Sequence, residues 1–503
     1  MPPVETVFSE NEKLKAELSK KDGRIAALEA QIAWFRRQVF AGGKSEKLDS
    51  RQLDMLEGLL EEAKREETAK EKVAYERRKP TKRHSRDELY GNLPVTEEVV
   101  VEPEEVEADP DAYKRIDAEE TFEVKIQPPV FSRRRIVRPK YRKIDDKSKA
   151  PVLAPAPFRA VEGIASADLL AYIVVSKFLD HLPLYRQCSM YKRYGFTVAR
   201  QNLVRWVEKV AEHVEPIYDC MEMRLLGGNY LQADETPIRY CDPDYGEKKS
   251  RQGQLCGFTR PGAEVCYKWR TSRSHKSVTK HIAGFAGVLQ ADMYQAYVKL
   301  EKDEASIELA GCWAHARRKF FEIKERHPRE CNLVLKLIGK LYGVEKTIRE
   351  RRAGEEGFGD EGAKALRLAK AANTHARLKR VLVIVRHGKL PAGELAVACD
   401  YSLNHWDYLS TYLEHGRVDI DNNAMENAIR PTAVGKKNWL FVGHPDAGKR
   451  AAILYSILIS CQRLDVQPLE YLTALLKTDL GKLSKEERSA LTPSNWTKSR
   501  GQI

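Results

Sequence analysis

Three carboxylates stand where chemistry could use them. Asp234 lies inside the strand-like run LQADETPI, residues 231–238, and Asp292 closes the apolar run GVLQA, residues 287–291. The pentads LQADE and LQADM nearly repeat, each placing an aspartate after an apolar, Gln, Ala step, which suggests two neighbouring strands presenting acids to one place. A carboxylate in a half-buried strand is unfavourable alone, and a cation would compensate it. The third acid, Glu426, sits in DNNAMENAIR, residues 421–430, where Asp421 reads as a helix N-cap and Pro431 as the point that ends or kinks the helix. On that helix Asn423, Glu426, Asn427 and Arg430 share a polar face, and Met425, Ala428 and Ile429 share the packed one. Such a set suits Mg²⁺, with Mn²⁺ as a substitute, and two ions about 4 Å apart can serve an in-line displacement at phosphorus. Taken singly, each acid also reads as an ordinary strand-end or cap residue.

Cations gather near these acids. In CWAHARRK, residues 312–319, Arg317, Arg318 and Lys319 read as phosphate contacts, and His315 as an active-site neighbour or equally a satisfied core histidine. The spacing Cys312-x-x-His315 lacks a second pair of ligands, so it is a weak zinc signal. Arg430, Lys436 and Lys437 add positive charge beyond Glu426. The segment GHPDAGKR, residues 443–450, spells most of a phosphate-binding loop, but Arg450 stands where a Ser or Thr would hold Mg²⁺. It reads instead as a turn with basic side chains.

Long elements must position these groups. The chain has 503 residues, enough for several domains, and its 86 Lys and Arg against 73 Asp and Glu leave a formal charge of +13, which suits a polyanionic partner such as nucleic acid. No signal segment opens it and no apolar run is long enough for a bilayer, so a cytoplasmic protein without membrane contact is expected. Nine scattered cysteines form no CxxC pair and read as reduced core thiols.

Residues 1–42 carry a short apolar seam, read as a coiled-coil helix or as one amphipathic helix packed on its own chain, and residues 43–90 a charged helix and basic linker. A small β-rich module, 91–150, includes the cluster Arg133, Arg134, Arg135. Residues 151–225 read as helical, with a helix-turn-helix pattern around Gly195 whose second helix offers Arg200, Gln201 and Arg205 to nucleic acid. An α/β core with a mixed sheet is expected over 226–325 and 415–460, interrupted by helices at 326–414 and followed by a helical element at 461–503.

The blocks LQADETPIRY (231–240), GVLQADMYQAY (287–297), GCWAHARRKFFE (311–322) and VDIDNNAMENAIRPTAVGKKNWLFVG (418–443) closely resemble, in order, the signature blocks of the insertion-sequence-66 transposase family. FRRQVFAGGKSEK (35–47), SKFLDHLPLYRQ (176–187) and LDVQPLEYL (464–472) extend the resemblance over nearly the whole chain. It implies a ribonuclease-H-like core whose Mg²⁺-dependent DDE triad is Asp234, Asp292 and Glu426, cutting and joining double-stranded DNA at element ends and target. It also implies a homo-oligomer pairing two ends, and accessory proteins from the same element. The family's cysteine-based zinc module has no counterpart, because no cysteine precedes Cys188, so no zinc is expected there. The alternative is a catalytically inactive, transposase-derived DNA-binding protein.

Overall fold

The computed structural model describes residues 152–242, 250–271 and 281–500, with short stretches before 152, chiefly 129–142. The expected coiled coil, the charged helix and basic linker, and most of the β-rich module lie outside these residues. Arg133, Arg134 and Arg135 are exposed, without regular structure, and belong to a separate unit spanning 59–135.

Helix α1 (Ala167–Phe178) starts at Ser166, whose hydroxyl accepts the Leu169 N–H at 3.3 Å. After α2 (Leu184–Arg193) the chain turns through Gly195, whose φ of +81° is the left-handed conformation that favours glycine. The next helix, α3, runs Arg200–Leu226 and continues through Pro216 to about the expected limit of the helical region at 225. Leu203, Val207, Val210 and Val214 bury its inner face, while Arg200, Gln201 and Arg205 lie exposed in its first two turns.

A mixed five-stranded sheet follows, made of β1 (Tyr230–Cys241), β2 (Ser250–Thr259), β3 (Val265–Arg270), β4 (Gly287–Gln290) and β5 (Ile307–Ala310), in the spatial order β3-β2-β1-β4-β5. The first three strands are antiparallel neighbours, whereas β4 and β5 join parallel to β1. Helix α4 (Gln295–Asp303) supplies the crossover between β4 and β5, as a parallel connection requires. The strand-like runs 231–238 and 287–291 fall in β1 and β4. Sequence periodicity missed β5, a four-residue strand.

Beyond β5 come α5 (Trp313–Glu322) and then five helices: α6 (Pro328–Gly354), α7 (Asp360–Lys370), α8 (Ala372–Arg386), α9 (Glu394–Asn404) and α10 (Trp406–Glu414). They bury an ion pair between Arg367 and Glu345 at 2.7 Å, and Arg367 also donates to the carbonyls of Tyr412 and His415, both at 2.8 Å. This arginine thereby ties the helices to the loop that leads back to the sheet.

The last core helices are α11 (Asn423–Trp439), α12 (Pro445–Arg463), α13 (Pro468–Lys477), α14 (Lys485–Ala490) and α15 (Pro493–Arg500). One expectation is narrowed here and another fails. Helix α11 does not end at Pro431, because Met425, Ala428, Ile429, Thr432 and Gly435 bury one continuous face on both sides of it, and tertiary packing outweighs the missing N–H. The GHPDAGKR segment is not a turn: His444 caps α12 and Pro445 begins it, so Gly448 and Lys449 are helical. A Cβ at Gly448 would lie 2.3 Å from the Trp269 ring, so this glycine serves helix–sheet packing. Lys449 and Arg450 pair with Glu215 at 2.7 Å and Glu208 at 2.6 Å on α3, which occupies the cations assigned to that turn.

Candidate active site

The two near-identical pentads meet in register. Parallel pairing of β1 with β4 sets Gln232 opposite Gln290, so Asp234 and Asp292 follow at equivalent places beyond the paired ends. Both glutamines are fully buried, and their amides must therefore be satisfied within the protein. Gln232 Nε2 donates to Gln290 Oε1 at 3.1 Å and to the Asp421 carbonyl at 3.0 Å, while its Oε1 accepts the Met425 N–H at 3.1 Å. Gln290 Nε2 donates to the carbonyls of Asp419 at 2.8 Å and Gly311 at 3.0 Å. Asn422 adds a bond from its amide to the Ala233 carbonyl at 2.8 Å. These side chains clamp segment 419–425 onto the strands that carry the aspartates.

The clamp delivers Glu426. Asn422, rather than Asp421, occupies the N-cap position of α11; Asp421 instead accepts the Asn423 N–H at 3.1 Å from one residue earlier. Gly257, the β2 partner of Asp234, leaves room for the helix, since a Cβ there would fall 2.1 Å from Met425 Cε. Glu426 consequently faces inward with its side chain 18% exposed, while Asn423, Asn427 and Arg430 are exposed on the outer face.

Asp234 shows how concentrated the negative charge is. Burial above all, then the charges of Asp292, Glu426 and Glu235, push its carboxyl up to about 7, against the pull of the Glu235 N–H that it accepts at 2.8 Å. Asp292 accepts the Tyr294 N–H at 3.1 Å across Met293, whose φ of +58° turns the chain directly after the acid. The three acids lie on β1, just after β4 and on α11, and the charges of Asp292 and Glu426 are felt at Asp234. Among the described residues, however, the ligand atoms found within 4.8 Å of one another are those of Cys312, His315 and Glu426, so Glu426 faces that pair.

Of the nearby basic residues, Arg318 and His315 approach Glu426. Arg318 Nη2 lies 3.5 Å from its Oε2, and His315 Nδ1 lies 3.5 Å from its Oε1. Arg317 is exposed over the Phe321 ring, and Lys319 sits 4.6 Å from the centre of the Tyr401 ring. Lys436 Nζ donates to Thr236 Oγ1 at 3.3 Å and to the Pro237 carbonyl at 3.2 Å, which places it beside β1; Lys437 is exposed. Arg200, Gln201 and Arg205 belong to α3, which packs on β3 and α12 rather than on the strands that carry the acids.

Residues 162–450 match the transposase IS66 family, and residues 27–98 match a model described as transposase C of IS166 homeodomain. The chain belongs to the IS66 transposase family. Among its relatives are the uncharacterized proteins y4jD and y4qI of Sinorhizobium fredii (strain NBRC 101917 / NGR234), 31% and 32% identical over 417 residues. Each of those alignments covers 79% of this chain, with 80% of y4jD and 75% of y4qI. The protein y4hP of the same strain is 28% identical over 492 residues, covering 90% of this chain and 85% of y4hP. The mixed sheet flanked by helices is consistent with the ribonuclease-H-like core that the resemblance implies for a transposase. Among the described residues of this transposase, no helix is long and apolar enough to cross a membrane.

Sequence reading missed the glutamine clamp, Asn422 and the approach of Cys312 to Glu426. The repeated Gln of the pentads was the available signal. Their partners in the clamped segment lie 189 residues beyond Gln232 and 129 beyond Gln290, outside the reach of any local pattern.

Proposed function

We propose that this transposase cuts DNA at the ends of its insertion sequence and joins the freed 3′-hydroxyl to target DNA, with Asp234, Asp292 and Glu426 as the acidic triad of a ribonuclease-H-like core. Helices α6 to α10 are then an insertion between the second aspartate and the glutamate. One observation carries the reading: the buried Asp234 carboxyl shares its surroundings with two further acids, a charge concentration that favours a cation.

The donor set fits Mg²⁺ or Mn²⁺, since carboxylate oxygens suit these hard ions. A bound pair of such ions supplies an activated oxygen nucleophile and neutralises the leaving oxygen. The chain's own share is positioning. The Glu235 N–H orients Asp234, the Tyr294 N–H orients Asp292, and the glutamine clamp fixes the helix that brings Glu426. Arg317, Arg318, Lys319, Arg430, Lys436 and Lys437 supply positive charge to phosphate oxygens near the triad, where charge builds as the bond breaks. Arg200, Gln201 and Arg205 on α3, and Arg133 to Arg135 in the separate unit, contact the duplex mostly through its phosphates. Working on two ends at once calls for a homo-oligomer.

The test is cleavage and strand transfer on DNA carrying the element's ends, with Mg²⁺ or Mn²⁺. Glu426→Gln and Asp234→Asn should abolish product while DNA binding persists. Unchanged product in either variant removes that residue from the triad, and binding without product in the unaltered protein marks a DNA-binding descendant.

A further inference from the structure

We propose that Cys312, His315 and Glu426 form a second cation site, for a soft divalent ion such as Zn²⁺ or Co²⁺, that competes with the triad for Glu426. The proposal rests on the preceding reading only in treating Glu426 as a shared ligand. Cys312 Sγ lies 3.8 Å from Glu426 Oε1, His315 Nδ1 lies 3.5 Å from the same oxygen, and all three ligand atoms fall within 4.8 Å of one another. A tetrahedral zinc with bonds of about 2.3 Å to sulfur and about 2.0 Å to nitrogen and oxygen spaces its ligand atoms about 3.3–3.6 Å apart. Small side-chain shifts therefore close the site, leaving the fourth position to water.

Two independent features prepare it. Cys312 is the N-cap residue of α5, and its sulfur accepts the Asn422 N–H at 3.2 Å as well as a backbone bond from His315, which fixes the sulfur beside Glu426, although burial keeps it a neutral thiol until a metal displaces the proton. His315 Nδ1 is buried and has no hydrogen-bond partner; it approaches Glu426 without the alignment of a hydrogen bond. A metal would satisfy that nitrogen. Binding exchanges the Cys312 S–H bond for a sulfur–metal bond and releases the proton to solvent. With the ion in place, Glu426 is held on the α5 side, away from the two aspartates.

The experiment titrates Co²⁺ into the reduced full-length protein without Mg²⁺ or DNA and reads the thiolate-to-cobalt charge-transfer absorbance. The expected result is a band that saturates, disappears in Cys312→Ser, and persists in Cys241→Ser, which removes an exposed thiol. His315→Ala and Glu426→Gln should each weaken Co²⁺ at least about tenfold, and they keep the test open should Cys312→Ser misfold. Excess Mg²⁺ should weaken Co²⁺ in the unaltered protein. No band, or a band that survives Cys312→Ser, overturns the site; Co²⁺ affinity indifferent to both Mg²⁺ and Glu426→Gln overturns the sharing. Every readout is binding, so absence of DNA cleavage would count against the triad and not against this site.

Discussion

Replacing Gln232 by leucine keeps an uncharged side chain at the centre of the sheet and removes the clamp between β1 and the segment that delivers Glu426. The losses can be followed bond by bond. The Asp421 carbonyl forfeits the amide 3.0 Å away, and a stranded buried acceptor costs about 1–3 kcal/mol. The Met425 N–H forfeits Gln232 Oε1 but keeps its bond to the Asn422 carbonyl at 3.1 Å, so only a net hydrogen bond of about 0.5–1.5 kcal/mol is lost there. Gln290 keeps its bonds to the Tyr230 hydroxyl, Gly311 and Asp419, so the damage stops at the helix side. The sum is roughly 1.5–4.5 kcal/mol, to be measured by urea unfolding followed through tryptophan fluorescence. Strand cleavage should fall about 100-fold with DNA affinity retained, because a displacement of about 1 Å at a reacting group costs that much. A stability change below about 0.5 kcal/mol, typical of an indifferent surface substitution, would refute the reasoning. Unaltered cleavage in a destabilised variant would confine the clamp to stability.

Other perturbations follow from the same structure. An acid whose folded pKa is raised from 3.8 to about 7 binds more protons folded than unfolded, so the metal-free protein loses stability as pH rises from about 4 to about 7 and carries the full penalty, on the order of 4 kcal/mol, at pH 8. Asp234→Asn in a chelator at pH 8 should therefore raise the thermal midpoint; a lowered midpoint would show that the site does not strain the fold. Arg367→Met leaves Glu345 buried without its partner and should destabilise by about 3–5 kcal/mol, with Glu345→Met restoring part of the loss; additive effects in the double variant would deny the coupling. Arg200→Ala combined with Arg205→Ala should weaken DNA binding on all sequences and flatten the logarithmic salt dependence by about one for each phosphate no longer neutralised, and an unchanged slope would take α3 off the DNA.

Much of this was legible where local pattern and tertiary demand agree. The strand runs around Asp234 and before Asp292 announce their apolar character in the sequence itself, and the matching pentads foretold the pairing of β1 with β4. The misreadings came where packing outweighed a local signal. Pro431 ought to stop a helix, yet a continuous buried face holds α11 together beyond it. Gly448 looked like the glycine of a phosphate loop, yet it makes room for the Trp269 ring. Strand β5, only Ile307–Ala310, was too short for periodicity to separate from its polar flank. Cys312 and His315 lacked further ligands in the sequence around them, and the carboxylate that faces them comes from α11, much later in the chain.

Because the clamp draws its partners from both sides of a five-helix excursion, this site cannot assemble until that whole excursion has been synthesised. A ribosome has already released every strand of the sheet before it makes the loop that the glutamines grip. A chain interrupted anywhere ahead of residue 419 would hold two aspartates and no helix to complete them. On the proposed reading an unfinished copy is disarmed, since only a translation product carried past α11 contains all three acids.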